Sequence, residues 1–476
     1  MLLVSYAFPP DSVIGALRWQ KMTEFAASRG WSVDVLMIDP SQCAVRDDAR
    51  LATLPAGVRL FGVRYFSYQE SLVETALRRW ASRMLSALRS RESTPATAPT
   101  TKHQTPPSSA ASSNGNGTGS INPGRLILSV RRAQLARRSF AEWEDWTNRA
   151  ATIGAMLAGE RPYDVVISSG PPHMAHEAAR VIAEDKGLPL VIDFRDPWAL
   201  EAYQEPDLRS PAWMRLSQYY EERAVRRASV IVMNTDLAAQ MMRERYPAAA
   251  DRVITVMNGA DAELRLAGDH GSKFVLSYAG MIYGGRDPRA LFKGVRRAID
   301  AEGIRPEQLE VRFMGSDQYG AKPLAEIAAE QGLAGYFFSE PAQVRSAALA
   351  LLRRSAMVVV LPQKYQHSIP GKVFEYVQAE SWVLSLAEGG SATDLLLRQS
   401  GADCVAPDDD EGIGQVIARR FREFQGGTRP VPLNADGRFD RERQAARLFA
   451  AVDDAVRRGK TTIRPSRFSS LLERLG

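Results

Sequence analysis

Short apolar runs alternate with stretches of helical spacing along most of the chain, the pattern of strands and helices in a parallel sheet. Residues 2–6 predict a buried strand. Phe8-Pro9-Pro10 turns the chain, Gly15 lies in the loop, and helical spacing runs over about 16–29 to Gly30. Strands follow at 31–38 and 58–63. After a gap the alternation resumes with strands at 164–168, 190–193, 230–233 and 253–257. Helices are predicted from about His176 to Lys186-Gly187, over 213–227 and over 237–245. A second half restarts at 274–278, with strands at 311–314, 336–339, 357–361, 382–386 and 403–406. Its helices are predicted over 289–299, 324–331, 342–354, 372–380 and 392–399, and a last amphipathic helix covers 439–456.

Two segments break the pattern. Residues 71–89 have helical spacing, with Leu72, Leu77, Trp80, Met84 and Leu88 on one side and Arg78, Arg79 and Arg83 among the rest. This fits either an interfacial amphipathic helix or one docked on its own domain. Residues 91–120 are rich in Ser, Thr, Pro, Gly and Asn and lack the apolar bulk to order, so they are expected to be a disordered insertion. A second basic stretch, 125–138, precedes Trp143 and Trp146 in a helix running to about Gly159.

Length changes the picture first: 476 residues imply at least two domains, and 45% hydrophobic content fills their cores. Cys43 and Cys404 are the two cysteines. They give neither a disulfide framework nor a metal spacing, and a reducing cytoplasm fits best. No apolar run approaches the roughly 20 residues needed to span a bilayer. The first ten residues lack a basic region and a cleavage site, so a core strand is expected there and not a signal peptide. The net charge of +6 suits anionic substrates, nucleic acid or an anionic membrane surface, and the basic residues concentrate in 78–91 and 125–138. No G-x-G-x-x-G is present, which speaks against an oxidoreductase.

Candidate chemistry sits at strand ends. Ser169-Gly170-Pro171-Pro172-His173, with His176 three residues on, and Asp193-Phe194-Arg195-Asp196-Pro197-Trp198 end neighbouring strands, so His173, His176, Arg195 and Asp196 share one sheet edge. They are candidates for acid–base work; His173 as a helix cap and Arg195–Asp196 as a structural ion pair is the alternative. His173-x-x-His176 lacks a third metal ligand at sensible spacing. In the second half, Ala279-Gly280-Met281-Ile282-Tyr283-Gly284-Gly285-Arg286-Asp287-Pro288 is a Gly-rich loop whose Arg suits phosphate. Ser368-Ile369-Pro370-Gly371 opens the helix carrying Lys372 and Glu375, whose i,i+3 spacing lets a cation and a carboxylate reach one ligand. A capped surface helix with an incidental Lys and Glu fits the same spacing. The acidic turn at 408–411 reads as a helix N-cap region.

Taken in order, Tyr6-Ala7-Phe8-Pro9-Pro10 with Gly15, Ser169-Gly170-Pro171-Pro172-His173, Asp193-Phe194-Arg195-Asp196-Pro197-Trp198, Asn258-Gly259-Ala260-Asp261, Tyr283-Gly284-Gly285-Arg286-Asp287-Pro288 and Ser368-Ile369-Pro370-Gly371-Lys372-Val373-Phe374-Glu375-Tyr376 resemble the GT-B glycosyltransferases. The resemblance is to the family 4 type used in bacterial surface-polysaccharide assembly, and it covers nearly the whole chain outside 91–120. It implies an α/β fold of two Rossmann-like domains facing across a cleft: 1–262 for the acceptor, 263–436 for the nucleotide-sugar, and 437–476 as a helix returning to the first domain plus a tail. It implies a retaining, metal-independent transfer to a lipid-linked or growing glycan acceptor, with the nucleotide-sugar as co-substrate and no other cofactor. No nucleic-acid partner is expected. The setting would be cytoplasmic, peripheral on the inner membrane face.

For the site, the resemblance implies His173, Asp196 and Arg286 as catalytic residues. The donor would meet Gly15, Gly285, Arg286, His367, Ile369, Gly371, Lys372 and Glu375, with Arg286 on the diphosphate and Glu375 on the ribose diol. The acceptor would meet Gly15, His173, His176, Arg195 and Asp196. The family often has Glu-x7-Glu ending at the position of Glu375; here His367 stands where the first Glu would be. A nucleotide-sugar epimerase of the same fold and a non-catalytic assembly protein are the competing readings.

Overall fold

A computed structural model describes residues 1–66, 123–199, 210–261, 267–282, 286–363 and 365–462. The expected helix over 71–89, the insertion 91–120, Tyr283-Gly284-Gly285 and the chain beyond 462 lie outside the described residues. Two compact units separate: one within Met1–Arg64, Thr147–Trp198 and Tyr220–Gly476, the other within Tyr65–Trp146 and Ala199–Tyr219.

The first unit holds two parallel sheets. β1 (Leu2–Ser5), β2 (Val33–Ile38), β3 (Val58–Val63), β4 (Val166–Gly170), β5 (Leu190–Phe194), β6 (Val230–Met233) and β7 (Val253–Thr255) pair in the order β3-β2-β1-β4-β5-β6-β7. β8 (Phe274–Gly280), β9 (Leu309–Gly315), β12 (Phe337–Pro341), β13 (Met357–Val360), β14 (Trp382–Leu386) and β15 (Asp403–Val405) pair in the order β12-β9-β8-β13-β14-β15. A small antiparallel hairpin, β10 (Gln318–Tyr319) and β11 (Lys322–Pro323), stands apart. Parallel neighbours need helical crossovers, and strands covered on both faces read as unbroken apolar runs. β1 and β13, Leu-Leu-Val-Ser and Met-Val-Val-Val, are buried throughout.

Each sheet reverses its order once, at β1 between β2 and β4 and at β8 between β9 and β13. Such reversals open a crevice beyond the strand ends, where α/β proteins bind ligands. The loops after β1, β4 and β5 therefore gather at one crevice, and those after β8 and β13 at the other.

The two halves are knitted at the exit of the first sheet. Ala260 N–H donates to Phe439 O and Arg441 N–H to Ala260 O, and Arg441 Nε lies 2.8 Å from Asp261. These pairings put Asp440 in a bridge with Ala260, directly after a turn, so the last helix starts later than expected and spans Arg441–Thr462. Leu448, Phe449, Val452 and Ala455 of that helix pack with Trp19, Met22 and Val33, in the core of the first sheet. Other boundaries also moved. The expected helix 372–380 is only Lys372–Tyr376, because the bonding tightens to three-residue turns there: Gln378 N–H donates to Glu375 O and Ala379 N–H to Tyr376 O, each at 3.2 Å. The helix before β13 begins at Arg345, since β12 runs to Pro341 and Val344 is extended. The basic stretch at 125–138 and the Trp-bearing helix are one helix, Pro123–Glu160. Asp409 caps the helix Asp410–Gln425 by accepting from Gly412 N–H at 2.8 Å, the role expected of that acidic turn.

The second unit has its own small core. Ala136 and Trp213 are buried with Phe140, Trp143 and Met214 around them, and Trp143 and Trp213 meet edge-on at 5.3 Å. Among the described residues no helix is long and apolar enough to cross a membrane.

The least expected interior feature is charged. Arg18, on the helix Ile14–Ser28, and Asp193, at the end of β5, are both buried. Arg18 Nε and Nη2 grip the two carboxylate oxygens at 3.0 and 2.9 Å. Its remaining donors go to Val256 O, Met257 O and Asn258 Oδ1. All five guanidinium N–H groups are thereby used. Trp19 Nε1 and Ser169 Oγ also donate to Asp193, at 2.7 and 3.2 Å. Burial opposes the charge on Asp193, but Arg18 and these donors outweigh it and hold the carboxyl below its usual range. Removing one partner of such a pair leaves a naked buried charge. Arg18→Met is expected to lower stability by about 3–5 kcal/mol, and the double variant Arg18→Met/Asp193→Leu to recover much of that loss. Urea unfolding of the three proteins checks this; a double variant no better than the single would refute it.

Candidate functional site

At the first crevice β4 ends in Gly170 and the chain turns through Pro171-Pro172 to His173. His173 occupies the cap position of the helix Met174–Asp185 but makes no side-chain cap bond, so capping does not explain it. Its ring stacks on Trp198 at 5.3 Å, and its Nδ1 lies 3.4 Å from His176 Nε2. His176 Nδ1 is in turn 2.8 Å from Ser168 Oγ. Burial pushes both imidazoles down, His176 to about 3, so both are neutral at ordinary pH. His176 is 0% exposed. The expectation that it meets the acceptor is therefore corrected: it stands behind His173, on the helix face turned to the sheet, and braces that ring.

Arg195 donates to Gly170 O at 3.2 Å and to Pro171 O. A Cβ on Gly15 would fall 1.9 Å from Arg195 Nη1, so the space above Gly15 belongs to that guanidinium. Gly15 was expected to admit a pyrophosphate or sugar; what the structure shows there is room for Arg195. No Arg195–Asp196 ion pair forms among the described residues. Asp196 instead accepts from Ser368 Oγ of the second half at 2.9 Å. Burial raises its carboxyl above the usual range, against the Ser368 hydrogen bond and the Arg195 charge.

At the second crevice a cavity of about 230 Å³ is lined by Gly280, Met281, Gly315, Arg345, Lys372 and Glu375, among others. Gly280 and Gly315 end β8 and β9 with φ of +145° and +122°. A Cβ on Gly315 would come within 2.7 Å of Gly280 O, and one on Gly280 within 2.6 Å of Lys372 Nζ. Glycine at both positions lets the lysine in. Lys372 Nζ sits 3.8 Å over the Tyr278 ring and donates to Ala279 O at 3.1 Å. No carboxylate pairs with it among the described residues. Burial and the Arg286 charge hold its pKa down to about 7. Arg286 is buried, donates to Met281 O at 3.2 Å and lies 5.8 Å from the Tyr365 ring. Glu375 is ion-paired to Arg345 at 2.9 Å.

The other donor-side expectations divide. His367 is half-buried, its carbonyl accepts from Thr235 Oγ1 at 2.6 Å, and burial lowers its imidazole. Ile369 is 5% exposed and its side chain packs with Val373 and Phe374 in the core, not toward a ligand. Gly371 is exposed, with right-handed backbone and open space beside it. Gly285 lies outside the described residues. The helix Lys372–Tyr376 is too short to carry much dipole, so an anion here would meet side-chain cations and not a helix end. Among the described residues no three His, Cys, Asp or Glu side chains are grouped as metal ligands. The sequence reading missed Arg18, Asn234, Thr235, Tyr278 and Arg345. Thr235 carries a visible signal, an N-cap position directly after a strand; for Arg345 the sequence holds none.

Residues 122–264 match the model of Glycosyltransferase Family 4. D-inositol 3-phosphate glycosyltransferase 1 of Catenulispora acidiphila is 28% identical over 288 residues, which are 55% of this chain and 65% of that relative. The match therefore spans just under two thirds of the relative's length. HepE of Anabaena, solved with UDP and glucose, superposes with a TM-score of 0.56 at 13% identity over 95% of this chain and 100% of its own. The fold is GT-B. The lipopolysaccharide outer core galactosyltransferase WaaB superposes on this GT-B chain with a TM-score of 0.54 at 10% identity, over 95% of this chain and 98% of its own. An epimerase-type protein of Listeria monocytogenes gives 0.51 at 10%, over 98% of each chain. At these identities the likeness speaks for fold.

Lys372 yields a test that needs no substrate. Its proton leaves at about 7 in the folded chain and near the ordinary 10.5 in the unfolded one. Between those values the unfolded chain binds more protons, so stability rises with pH there. The cost of the charged lysine is full below pH 7 and fades toward 10.5. Lys372→Met, which keeps contact with Tyr278, is expected to stabilise most at about pH 6 and little at about pH 10. Chemical unfolding at both values checks it; an equal change at the two would refute it.

Proposed function

We propose that this protein transfers a sugar from a nucleotide-sugar to a lipid-linked or growing glycan acceptor in cell-surface polysaccharide assembly. The observation that carries the reading is the meeting of two unlike edges in one compact unit. A carboxylate edge at Asp196 touches, through Ser368, the loop that leads to the cationic cavity of Lys372 and Glu375. A nucleotide-sugar diphosphate needs the cations, and an acceptor hydroxyl needs the base.

In this reading the donor lies along the second crevice. Glu375 exchanges Arg345 for the ribose diol, and Arg286 with Lys372 neutralises the diphosphate. The bond from the anomeric carbon to the phosphate oxygen breaks and one to the acceptor oxygen forms. Asp196 takes the acceptor proton, and the nucleoside diphosphate leaves with its charge compensated by Arg286 and Lys372. The neutral His173, braced by His176 and Trp198, offers a polar contact to the transferred sugar or the acceptor. The cations take the role a metal would fill, and the acceptor oxygen adds to the same face that the diphosphate leaves, so that the anomeric configuration is retained. Support comes from the match of residues 122–264 to the family 4 model, from the UDP held by HepE, and from the likeness to the inositol 3-phosphate glycosyltransferase and the galactosyltransferase WaaB. The basic residues within 125–138 suit an anionic bilayer face, where a lipid-linked acceptor would lie.

A panel of nucleotide-sugars, scored first by the rise in melting temperature and then by product formation with and without acceptor, tests the proposal. Glycan extension is expected only with acceptor present; conversion of the donor alone would establish the epimerase reading. Arg286→Ala and Glu375→Ala are each expected to lower kcat/KM by at least about 100-fold with the unfolding transition kept. Turnover near wild type in either would remove that residue from the donor site.

A further inference from the structure

We infer that Ser368 is the positioning residue of Asp196, orienting the carboxylate of the acceptor edge from the loop that frames the donor cavity. This rests on the reading of Asp196 as the group that takes the acceptor proton.

The geometry is built from both sides. Asn234 and Thr235 are consecutive residues after β6. Asn234 Nδ2 donates to Arg195 O, and Thr235 Oγ1 donates to His367 O at 2.6 Å. Two adjacent side chains thus hold the carbonyls of two chain segments side by side. The next residue on each segment is Asp196 on one and Ser368 on the other, and these two meet at 2.9 Å. The contact is therefore set by register and not by a chance encounter of two long side chains. Behind it, Gln366 O accepts from Ala392 N–H at 2.8 Å and Ser368 O from Thr393 Oγ1 at 3.3 Å. Ser368 is 9% exposed, and Ile369 anchors the following turn in the core. Arg195 N–H, bonded to Gly170 O at 3.0 Å, fixes the other side.

Asp196 Oδ1 is thereby committed to Ser368. Its second oxygen has no hydrogen-bond partner among the described residues and is left to meet a proton donor. The surroundings make the hydroxyl matter. Arg195, on the same loop, is the charge acting on Asp196. Asp193 is already neutralised by Arg18, burial holds His173 on one flanking loop uncharged, and burial lowers the imidazole of His367 on the other. Ser368 is thus one of the two influences that favour the carboxylate against burial. It is also the first side chain on the path from the acceptor edge to Lys372 and Glu375, so a shift of the donor loop reaches the acid–base group through it.

The test uses the full chain labelled at aspartate Cγ. The carboxyl resonance missing in Asp196→Asn is followed by NMR through a pH titration in wild type, Ser368→Ala and Ser368→Thr. Loss of the hydroxyl is expected to raise the Asp196 midpoint by about 1 pH unit, the size of one hydrogen bond to a charged group. Threonine, which keeps the hydroxyl, is expected to stay near wild type. A midpoint unchanged in Ser368→Ala, or moved equally in Ser368→Thr, overturns the inference. With UDP-glucose as donor probe, the acidic limb of product release is expected to move upward in Ser368→Ala by the same amount. If the resonance moves but Asp196→Asn keeps the wild-type rate, the base role of Asp196 fails while the Ser368–Asp196 contact stands.

Discussion

The buried pair Arg18–Asp193 is the constraint on which the first half depends. A charged carboxylate with no solvent exposure is expensive unless every lone pair is met and its partner is equally satisfied. Here the partner spends its remaining donors on three consecutive residues, Val256 to Asn258, at the exit from the last strand of the first sheet. One guanidinium therefore ties the helix after β1, the end of β5 and the start of the connection to the second sheet. Asp193 is two residues from Arg195 and three from Asp196. The position of the candidate base is inherited from an ion pair that itself lies out of reach of any ligand.

The two crevices use opposite economies of charge. At the first, the two imidazoles are packed against the aromatics Phe194 and Trp198, the Asp196 carboxyl is buried beside them in the chain, and burial drives each of these groups toward its neutral form. At the second, two strand-end glycines clear a path for a lysine that reaches an aromatic face and a carbonyl but no acid. A cation held this way is destabilised in the folded chain, and an arriving phosphate would relieve that cost. Placing both arrangements at order reversals of parallel sheets follows from topology, since only there do loops diverge enough to leave space.

Much of this was legible in the sequence because it rests on periodicity. Apolar runs such as Met357-Val358-Val359-Val360 announce a buried strand, and the residues just after each run fall at the crevice by necessity. That is how Asp196, His173, Lys372 and Glu375 could be named. What the sequence hid depends on tertiary direction. His176 looks like His173 in the chain, yet the helix turns one toward Trp198 and the other into the sheet. Ile369 sits inside a polar motif, but its side chain faces the core. Gly15 resembles a ligand-contact glycine, and the structure fills its space with Arg195, a residue some 180 positions away. The start of the last helix failed for a related reason: Phe439 O and Arg441 N–H are claimed by the distant Ala260, which no local pattern reveals.

The Arg345–Glu375 pair sets how readily the second crevice could change partners. Its two side chains are 53% and 26% exposed. A pair that open to water is worth roughly 0–1 kcal/mol, so exchanging Arg345 for a diol costs little. In the structure Glu375 lies with Arg345, and Lys372, on the same face three residues back, pairs with no carboxylate among the described residues. If Glu375 paired with Lys372 instead, the cavity would lose both its acceptor for hydroxyls and its uncompensated cation at once. The i,i+3 spacing that puts Lys372 and Glu375 on one face therefore does not by itself pair them, and Glu375 lies instead with an exposed arginine of a separate helix.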